Sequence, residues 1–137
     1  MKLLFVSAIL LAPGIAQSAK WETVVSSNGV VLSVDVGSIV ATKGGGRKAW
    51  VEFLYEDYQT ANNGVKFSRA LNQSIFHCQD RSVSNLQQAL YGHGDRGAEF
   101  LGSVKVPDGR GQFDDVIFES LNEAALEYVC AQLLRKK

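Results

Sequence analysis

The chain has 137 residues, of which 46% are hydrophobic, with 14 basic and 14 acidic side chains and a formal net charge of +0. This length and composition suffice for one domain with a hydrophobic core. The balanced charge argues against nucleic-acid binding, which normally shows as a clustered basic face.

The first part of the chain has the layout of a secretory signal peptide. Lys2 forms a short positive region, Leu3–Ala12 form an apolar run, and small residues follow. The apolar run is too short for a membrane anchor, which needs about 20 apolar residues. We therefore expect residues 1–18 to be a signal peptide cleaved after Ser18 or, as second choice, one residue later, and residues 19–137 to form a single domain. The signal peptide predicts an exported protein, located in the periplasm, at the cell surface or outside the cell. No cysteine lies near the cleavage region, so we do not expect a lipoprotein. We also expect that the protein does not span the membrane.

Strand signals dominate from Trp21 to about Val106. Short β-branched runs flank Asn28–Gly29, a strong two-residue hairpin signal, and a long strand follows a turn at Gly44–Gly46. One face of this strand is apolar, with Ala49, Val51, Phe53 and Tyr55. The opposite face is mixed, with Lys48, Trp50, Glu52, Leu54, Glu56 and Tyr58. This alternation is typical of an antiparallel sheet with one covered side.

Further strands are predicted at Val65–Cys78, Ser82–Tyr91 and Glu99–Val106. A turn around Gln79–Arg81 joins the first two. Phe76 and Cys78 are two positions apart in their strand, so both should face the same side of the sheet.

The two cysteines, Cys78 and Cys130, leave several interpretations open. Cys78 could be a nucleophile, a metal ligand, a core residue or half of a disulfide. An exported protein folds in an oxidising compartment, where two cysteines most simply pair. A catalytic dyad of Cys78 with His77 is the main rival, but neighbouring residues in a strand point to opposite faces. We therefore predict a Cys78–Cys130 disulfide.

The C-terminus changes to a helical period. Ser120 followed by Glu123 is a capping-box signature, in which the hydroxyl and the carboxylate each accept a hydrogen bond from a backbone N–H group at the start of the helix. An apolar stripe follows at helical spacing, at Leu126, Val129, Cys130 and Leu133. Three basic residues suit the negative end of the helix dipole, namely Arg135, Lys136 and Lys137. The fold class is therefore α+β, with the C-terminal helix packed on one face of an antiparallel sheet and stapled there by the disulfide.

Enzyme chemistry has little support. His77 lies in a strand and His93 in a glycine-rich loop, and a zinc site would need about four N or S donors. Gly44–Gly46 precede no helix that could hold a phosphate, and no serine has an elbow or base motif. The spacing of three acidic residues fits no regular calcium loop, namely Asp108, Asp114 and Asp115. We predict no catalytic residue, no metal and no cofactor.

Taken in order, five segments resemble the bacterial surface-adhesin protein E family. They are VLSVDVGSI (Val31–Ile39), KAWVEF (Lys48–Phe53), KFSRALNQSIFHCQDRS (Lys66–Ser82), ALYGHGDRG (Ala89–Gly97) and SLNEAALEYVC (Ser120–Cys130). The resemblance implies an antiparallel sheet of about six strands with the C-terminal helix held on it by the Cys78–Cys130 bond. It also implies binding to host extracellular-matrix or plasma proteins, and it allows a homodimer.

Two functions compete. The first is an exported, non-enzymatic protein-binding module, with Trp50 and Tyr58 on the mixed face and Lys136 and Lys137 at the C-terminus as candidate binding residues. For the two rings we favour cover by the helix or a dimer contact over an open surface, and for the two lysines a solvated helix end. The second function is a periplasmic protein of housekeeping or stress role that binds an envelope partner or a small ligand. An enzyme is the third choice.

Overall fold

The structure is a computed structural model that describes residues 19–92, 98–105, 114–116 and 120–134. Within these ranges the chain forms one α-helix, a short 3-10 turn at Val36–Ser38 and eight strands. The elements are β1 (Trp21–Ser27), β2 (Val30–Asp35), β3 (Val40–Ala41), β4 (Gly46–Thr60), β5 (Lys66–His77), β6 (Ser82–Gly92), β7 (Glu99–Lys105), β8 (Asp114–Asp115) and α1 (Leu121–Ala131).

The strands form one antiparallel sheet. Six of them lie in the order β1-β2-β4-β5-β6-β7, while the short β3 pairs with the start of β4 and the short β8 with the start of β6. The predicted antiparallel sheet of about six strands is confirmed.

Two of the predicted turns depend on residues that tolerate positive φ. Asn28 and Gly29 have φ values of 51° and 78°, as a type I′ hairpin turn requires. Gly44 and Gly45 have φ values of 85° and 82°, a region that most L residues avoid. The glycine run therefore reverses the chain before β4.

The core lies between α1 and one face of the sheet, which we call the helix side. On β4, Ala49 and Val51 are each 1% exposed, and α1 contributes Ala125, Leu126 and Val129. The buried apolar cluster is completed by Leu32, Val34, Phe53, Ala70, Phe76, Val83 and Leu90. The predicted apolar face of the long strand is thus the face that α1 covers.

Cys78 and Cys130 form the predicted disulfide, with their Cα atoms 5.9 Å apart. Phe76, two residues before Cys78, is 1% exposed in the core, so both residues face the helix side as expected. Because both sulfurs are bonded, the thiolate nucleophile and the metal ligand are excluded. The bond closes a loop with a sequence separation of 52. On the chain-entropy model, this restriction raises the free energy of the unfolded chain by about 4 kcal/mol.

The start of α1 is capped by Ser120, whose hydroxyl accepts a hydrogen bond from the Glu123 amide at 3.1 Å. The Glu123 carboxylate, which a capping box directs to the N-cap amide, forms an ion pair with Arg81 at 3.1 Å. Arg81 lies in the turn between β5 and β6 and also approaches Glu127 at 3.5 Å. One arginine therefore connects two successive turns of α1 to the sheet.

The helix is shorter than the apolar stripe predicted. It ends at Ala131, and Leu133, which was expected on the buried stripe, is 98% exposed. The reason lies in β4, where Arg47 donates to the carbonyl oxygens of Val129 and Gln132 and so satisfies the end of the helix. The basic residues Arg135–Lys137 lie outside the described residues.

Candidate functional site

The candidate site is the face of the sheet opposite α1, which we call the outer face. Its side chains alternate with those of the core, and the strand register aligns them in rows that cross the sheet. From β4 to β7 the three rows are Trp50–Gln73–Gln87–Lys105, Glu52–Leu71–Ala89–Ser103 and Leu54–Arg69–Tyr91–Phe100. With strands about 4.8 Å apart and a rise of about 3.4 Å per residue, these rows cover roughly 14 by 14 Å between Cα atoms.

Direct side-chain contacts connect the row that ends at Phe100 to Glu52 of the neighbouring row. Arg69 Nε lies 2.8 Å from Glu52 Oε2, and the Arg69 guanidinium lies over the Tyr91 ring at 4.8 Å from its centroid. The Tyr91 and Phe100 rings meet edge to face with centroids 5.5 Å apart. A carboxylate, a guanidinium and two aromatic rings therefore form a continuous ladder across four strands, and Phe100 at its end is 58% exposed.

The row that starts at Trp50 is more polar. Gln87 Nε2 donates to Gln73 Oε1 at 2.8 Å, which fixes the two amides relative to each other. The Trp50 amide donates to the Ser38 hydroxyl at 2.9 Å, and that hydroxyl donates to the Asp35 carbonyl oxygen at 2.7 Å. The 3-10 turn therefore anchors the backbone beneath Trp50, and Ser38 has a structural role.

The structure separates the two aromatic residues that the sequence placed on the mixed face. Trp50 lies on the outer face and not beneath α1, because its neighbours Ala49 and Val51 occupy the helix side. Tyr58 lies beyond a break in the β4–β5 register between Leu54 and Gln59 and is 51% exposed. Eight residues of strand span up to roughly 25 Å, so the two rings do not form one patch.

Several predicted residues lie outside the described residues, namely Lys136, Lys137, His93 and Asp108. Their roles stay predictions. The backbones of Asp114 and Asp115 form β8 and pair with Ser82 and Val83.

His77 connects two turns beside the disulfide. Its Nε2 lies 3.2 Å from the Gly44 carbonyl oxygen, and its Nδ1 lies 2.8 Å from Asp80 Oδ2. Across the part of the chain that the structure describes, no group of three or more His, Cys, Asp or Glu residues could hold a metal. These contacts indicate a structural role for His77, joining the turn before β4 to the turn after β5.

Two tyrosines have a raised pKa, and both lie away from the outer face. Burial raises the pKa of Tyr55, which stacks on Phe53 at 6.3 Å and meets Phe67 edge to face at 6.0 Å. Burial also raises the pKa of Tyr128 on α1, and the charge of Glu22 adds to that rise.

Two open grooves of about 450 and 410 Å³ flank the β1–β2 hairpin. The larger lies against the start of α1, where Ser120 already accepts a helix amide and Glu123 is paired with Arg81. The smaller is lined by hairpin residues together with Leu54, Tyr55 and Glu56.

Sequence reasoning missed Arg69, Tyr91 and Phe100. A signal existed, because alternation within β5 and β6 assigns each side chain to a face. However, the pairing shifts between Gln73 and Ser74 and between Leu90 and Tyr91. A shift moves the following residues to the other face relative to their neighbours, so these rows are visible only in the structure.

Comparison with protein-family models matches residues 21–131 to the family described as surface-adhesin protein E. Among solved structures, the crystal structure of protein E from non-typeable Haemophilus influenzae is similar, with a TM-score of 0.49 and 12% sequence identity over 88% of this chain and 82% of that chain. No curated protein matches this chain. In the described ranges, no helix has the length and apolarity needed to cross a membrane.

Proposed function

We propose, since this chain belongs to the surface-adhesin protein E family, that it is an exported protein-binding module without enzymatic activity and that it binds through the outer face. The partners that the family suggests are host extracellular-matrix or plasma proteins. A homodimer is compatible with this function only if it leaves the outer face accessible.

The observation that carries this proposal is the ladder from Glu52 to Phe100. Cores of protein interfaces are enriched in aromatic residues and arginine, and these residues dominate binding energies. The outer face has three aromatic rings and Arg69 on neighbouring strands, with the arginine charge already balanced by Glu52 at 2.8 Å. A partner can therefore cover the arginine without leaving an unpaired buried charge.

The rest of the fold makes this surface rigid. The outer-face residues belong to strands, and α1 is held on the helix side by the disulfide and by Arg47 and Arg81. A surface that is ordered before binding loses little conformational entropy on association. The three rows are smaller than the roughly 800 Å² per partner of a standard interface, so a stable complex would extend onto neighbouring loops.

Export is supported by the apolar N-terminal run and by the disulfide, which is typical of oxidising compartments. The absence of enzymatic activity is supported by the family and by the engagement of His77 with Gly44 and Asp80. Residues 1–18 as signal peptide remain a prediction, which the N-terminal sequence of the exported protein tests directly.

The binding test uses the purified mature protein and immobilised matrix proteins and plasminogen, after its oligomeric state has been measured. Trp50→Ala and Phe100→Ala should each weaken binding about tenfold or more, as truncation of an aromatic residue that dominates an interface does. Leu133→Ala is the matched control, because Leu133 is 98% exposed and lies beyond α1. Absence of binding to the whole panel, or equal binding by all three variants, would overturn the proposal.

Cellular location separates this function from a periplasmic housekeeping role. Surface labelling of intact cells should modify the protein before the outer membrane is permeabilised. Labelling only after permeabilisation would assign the outer face to an envelope partner and rule out contact with host proteins.

A further inference from the structure

We infer that the partner of the outer face presents an acidic, extended polypeptide segment that lies across the strands along the row from Trp50 to Lys105. This inference rests on the proposed function, because it names the chemistry of the partner that this surface binds. It concerns the part of the outer face formed by Lys48, Trp50, Gln73, Gln87 and Lys105, which we call the lysine end.

The charges of the outer face are unevenly distributed. Its central carboxylate, Glu52, is paired with Arg69 at 2.8 Å, so neither contributes a free charge. Lys48 precedes Trp50 by two residues on β4, and Lys105 ends the same row on β7. Among the described residues neither lysine has an acidic partner within ion-pair distance.

Two further carboxylates lie near this surface, but neither forms an ion pair with Lys48 or Lys105. Asp35 lies on β2, beside the Trp50 end of the row. Its carboxylate accepts hydrogen bonds from the backbone N–H groups of Lys20 and Gly37 at 2.9 and 3.2 Å. Glu56 lies past the opposite end of the face, where its amide donates to the Gly29 carbonyl oxygen. The chain has no net charge, and neither lysine of the lysine end forms an ion pair with a described carboxylate.

The spacing of the two lysines suits an extended chain. They are three strands apart and one row apart, which places their Cα atoms about 16 Å from each other. An extended polypeptide advances about 3.3 Å per residue. Because the side chains of an extended chain alternate between its two sides, two acidic residues four positions apart face the same side. They lie about 13 Å from each other, which the flexible side chains of both lysines can reach.

The groups between the lysines suit a peptide backbone and an apolar side chain. The Gln73–Gln87 hydrogen bond uses one Gln87 N–H and the Gln73 oxygen. It leaves amide N–H groups of Gln73 and the oxygen of Gln87 without a protein partner among the described residues. A peptide group needs one donor and one acceptor, which these amides supply. The half-buried Trp50 ring offers apolar area beside them.

The test uses fluorescently labelled synthetic peptides and the full mature protein. One peptide has two glutamates four positions apart with a leucine midway between them, and the other has lysines in place of both glutamates. The glutamate peptide should bind and should weaken as salt is raised from 0.05 to 0.5 M, because exposed charge pairs are screened. The lysine peptide should not bind.

Charge reversal locates the contact. The double variant Lys48→Glu/Lys105→Glu should bind the glutamate peptide about tenfold more weakly, mainly through a slower association rate. The matched control is Lys43→Glu/Lys66→Glu, which makes the same change in net charge at two exposed lysines outside the three rows and should bind normally. Unchanged circular dichroism spectra and unfolding midpoints establish that both variants are folded.

Each outcome bears on one proposal. A glutamate peptide that fails to bind, or that binds equally to both double variants, overturns the acidic-segment inference. A heparin-derived oligosaccharide that binds more tightly than the peptide, with the same dependence on Lys48 and Lys105, also overturns it in favour of an anionic glycan. Binding of matrix proteins that requires Trp50 but is unaffected by charge reversal leaves the proposed function intact and removes only this inference.

Discussion

Arg47 and Val129 are 82 residues apart in the chain, yet Arg47 Nη1 donates a hydrogen bond to the Val129 carbonyl oxygen at 2.7 Å. The same nitrogen also contacts the carbonyl oxygen of Gln132. The last carbonyl groups of a helix lack partners within the helix and carry partial negative charge. A residue of the sheet therefore satisfies the end of α1 and helps to hold it on the helix side.

Removing this contact should destabilise the fold. Arg47→Met keeps much of the side-chain volume but leaves the helix carbonyls without their donor, so we expect the free energy of unfolding to fall by about 1–2 kcal/mol. Urea denaturation measures the change. Lys43→Met is the control, since Lys43 is exposed in the adjacent turn, and it should stay within about 0.5 kcal/mol of the parent. Equal effects of the two substitutions would show that the Arg47 contact does not stabilise α1.

The disulfide should be the largest single contribution to stability at the end of α1. Cys78→Ser/Cys130→Ser should lower the free energy of unfolding by up to about 4 kcal/mol, because the unfolded chain regains the freedom of the closed loop. Alkylation followed by mass spectrometry should find no free thiol in the mature protein until a reductant is added. Two alkylated cysteines before reduction would contradict the covalent link.

Two phenylalanines on opposite faces should respond very differently to the same substitution. Phe76 is 1% exposed beneath α1, whereas Phe100 is 58% exposed on the outer face. Phe76→Ala should cost about 3–5 kcal/mol because it removes buried area and leaves a cavity. Phe100→Ala should change stability by about 0.5 kcal/mol or less while weakening partner binding. A comparable loss of stability in both variants would mean that Phe100 belongs to the fold rather than to a binding surface.

The partly buried Tyr55 should make stability fall at alkaline pH. Burial raises its pKa above the ordinary tyrosine value of about 10, so between the unfolded and folded pKa values the folded protein retains a proton that the unfolded chain has released. The free energy of unfolding must then decrease as pH rises above about 10. Urea denaturation between pH 8 and 11 measures this slope, and Tyr55→Phe should reduce it. If the free energy of unfolding of Tyr55→Phe depends on pH as strongly as that of the parent, other groups cause the decrease.

Much of the fold could be predicted because its signals are local. The Asn28–Gly29 turn, the alternation from Ala49 to Phe53 and the cap at Ser120 each depend on residues within a few positions of one another. The Cys78–Cys130 bond joins distant segments, but with two cysteines in an exported chain there is one pairing to choose.

The candidate site was less accessible to sequence reasoning. The regular alternation of β4 predicts Trp50 on the face opposite Ala49 and Val51. Tyr58 was grouped with it by the same rule, which fails once the β4–β5 register breaks after Leu54. The apolar stripe predicts a longer α1 than the structure has, because it does not reveal that Arg47 of a distant strand binds the Val129 carbonyl oxygen.

By itself the sequence determined the turns, the covered face of the long strand, the helix start and the covalent pairing, since each follows from backbone preferences or chemistry that act over short range. Only the tertiary structure decided which side chains of different strands share a row, and so brought Glu52, Arg69, Tyr91 and Phe100 into one ladder. The physical reason is that strand register and bulges result from the packing of the whole sheet, and each one-residue shift exchanges the two faces.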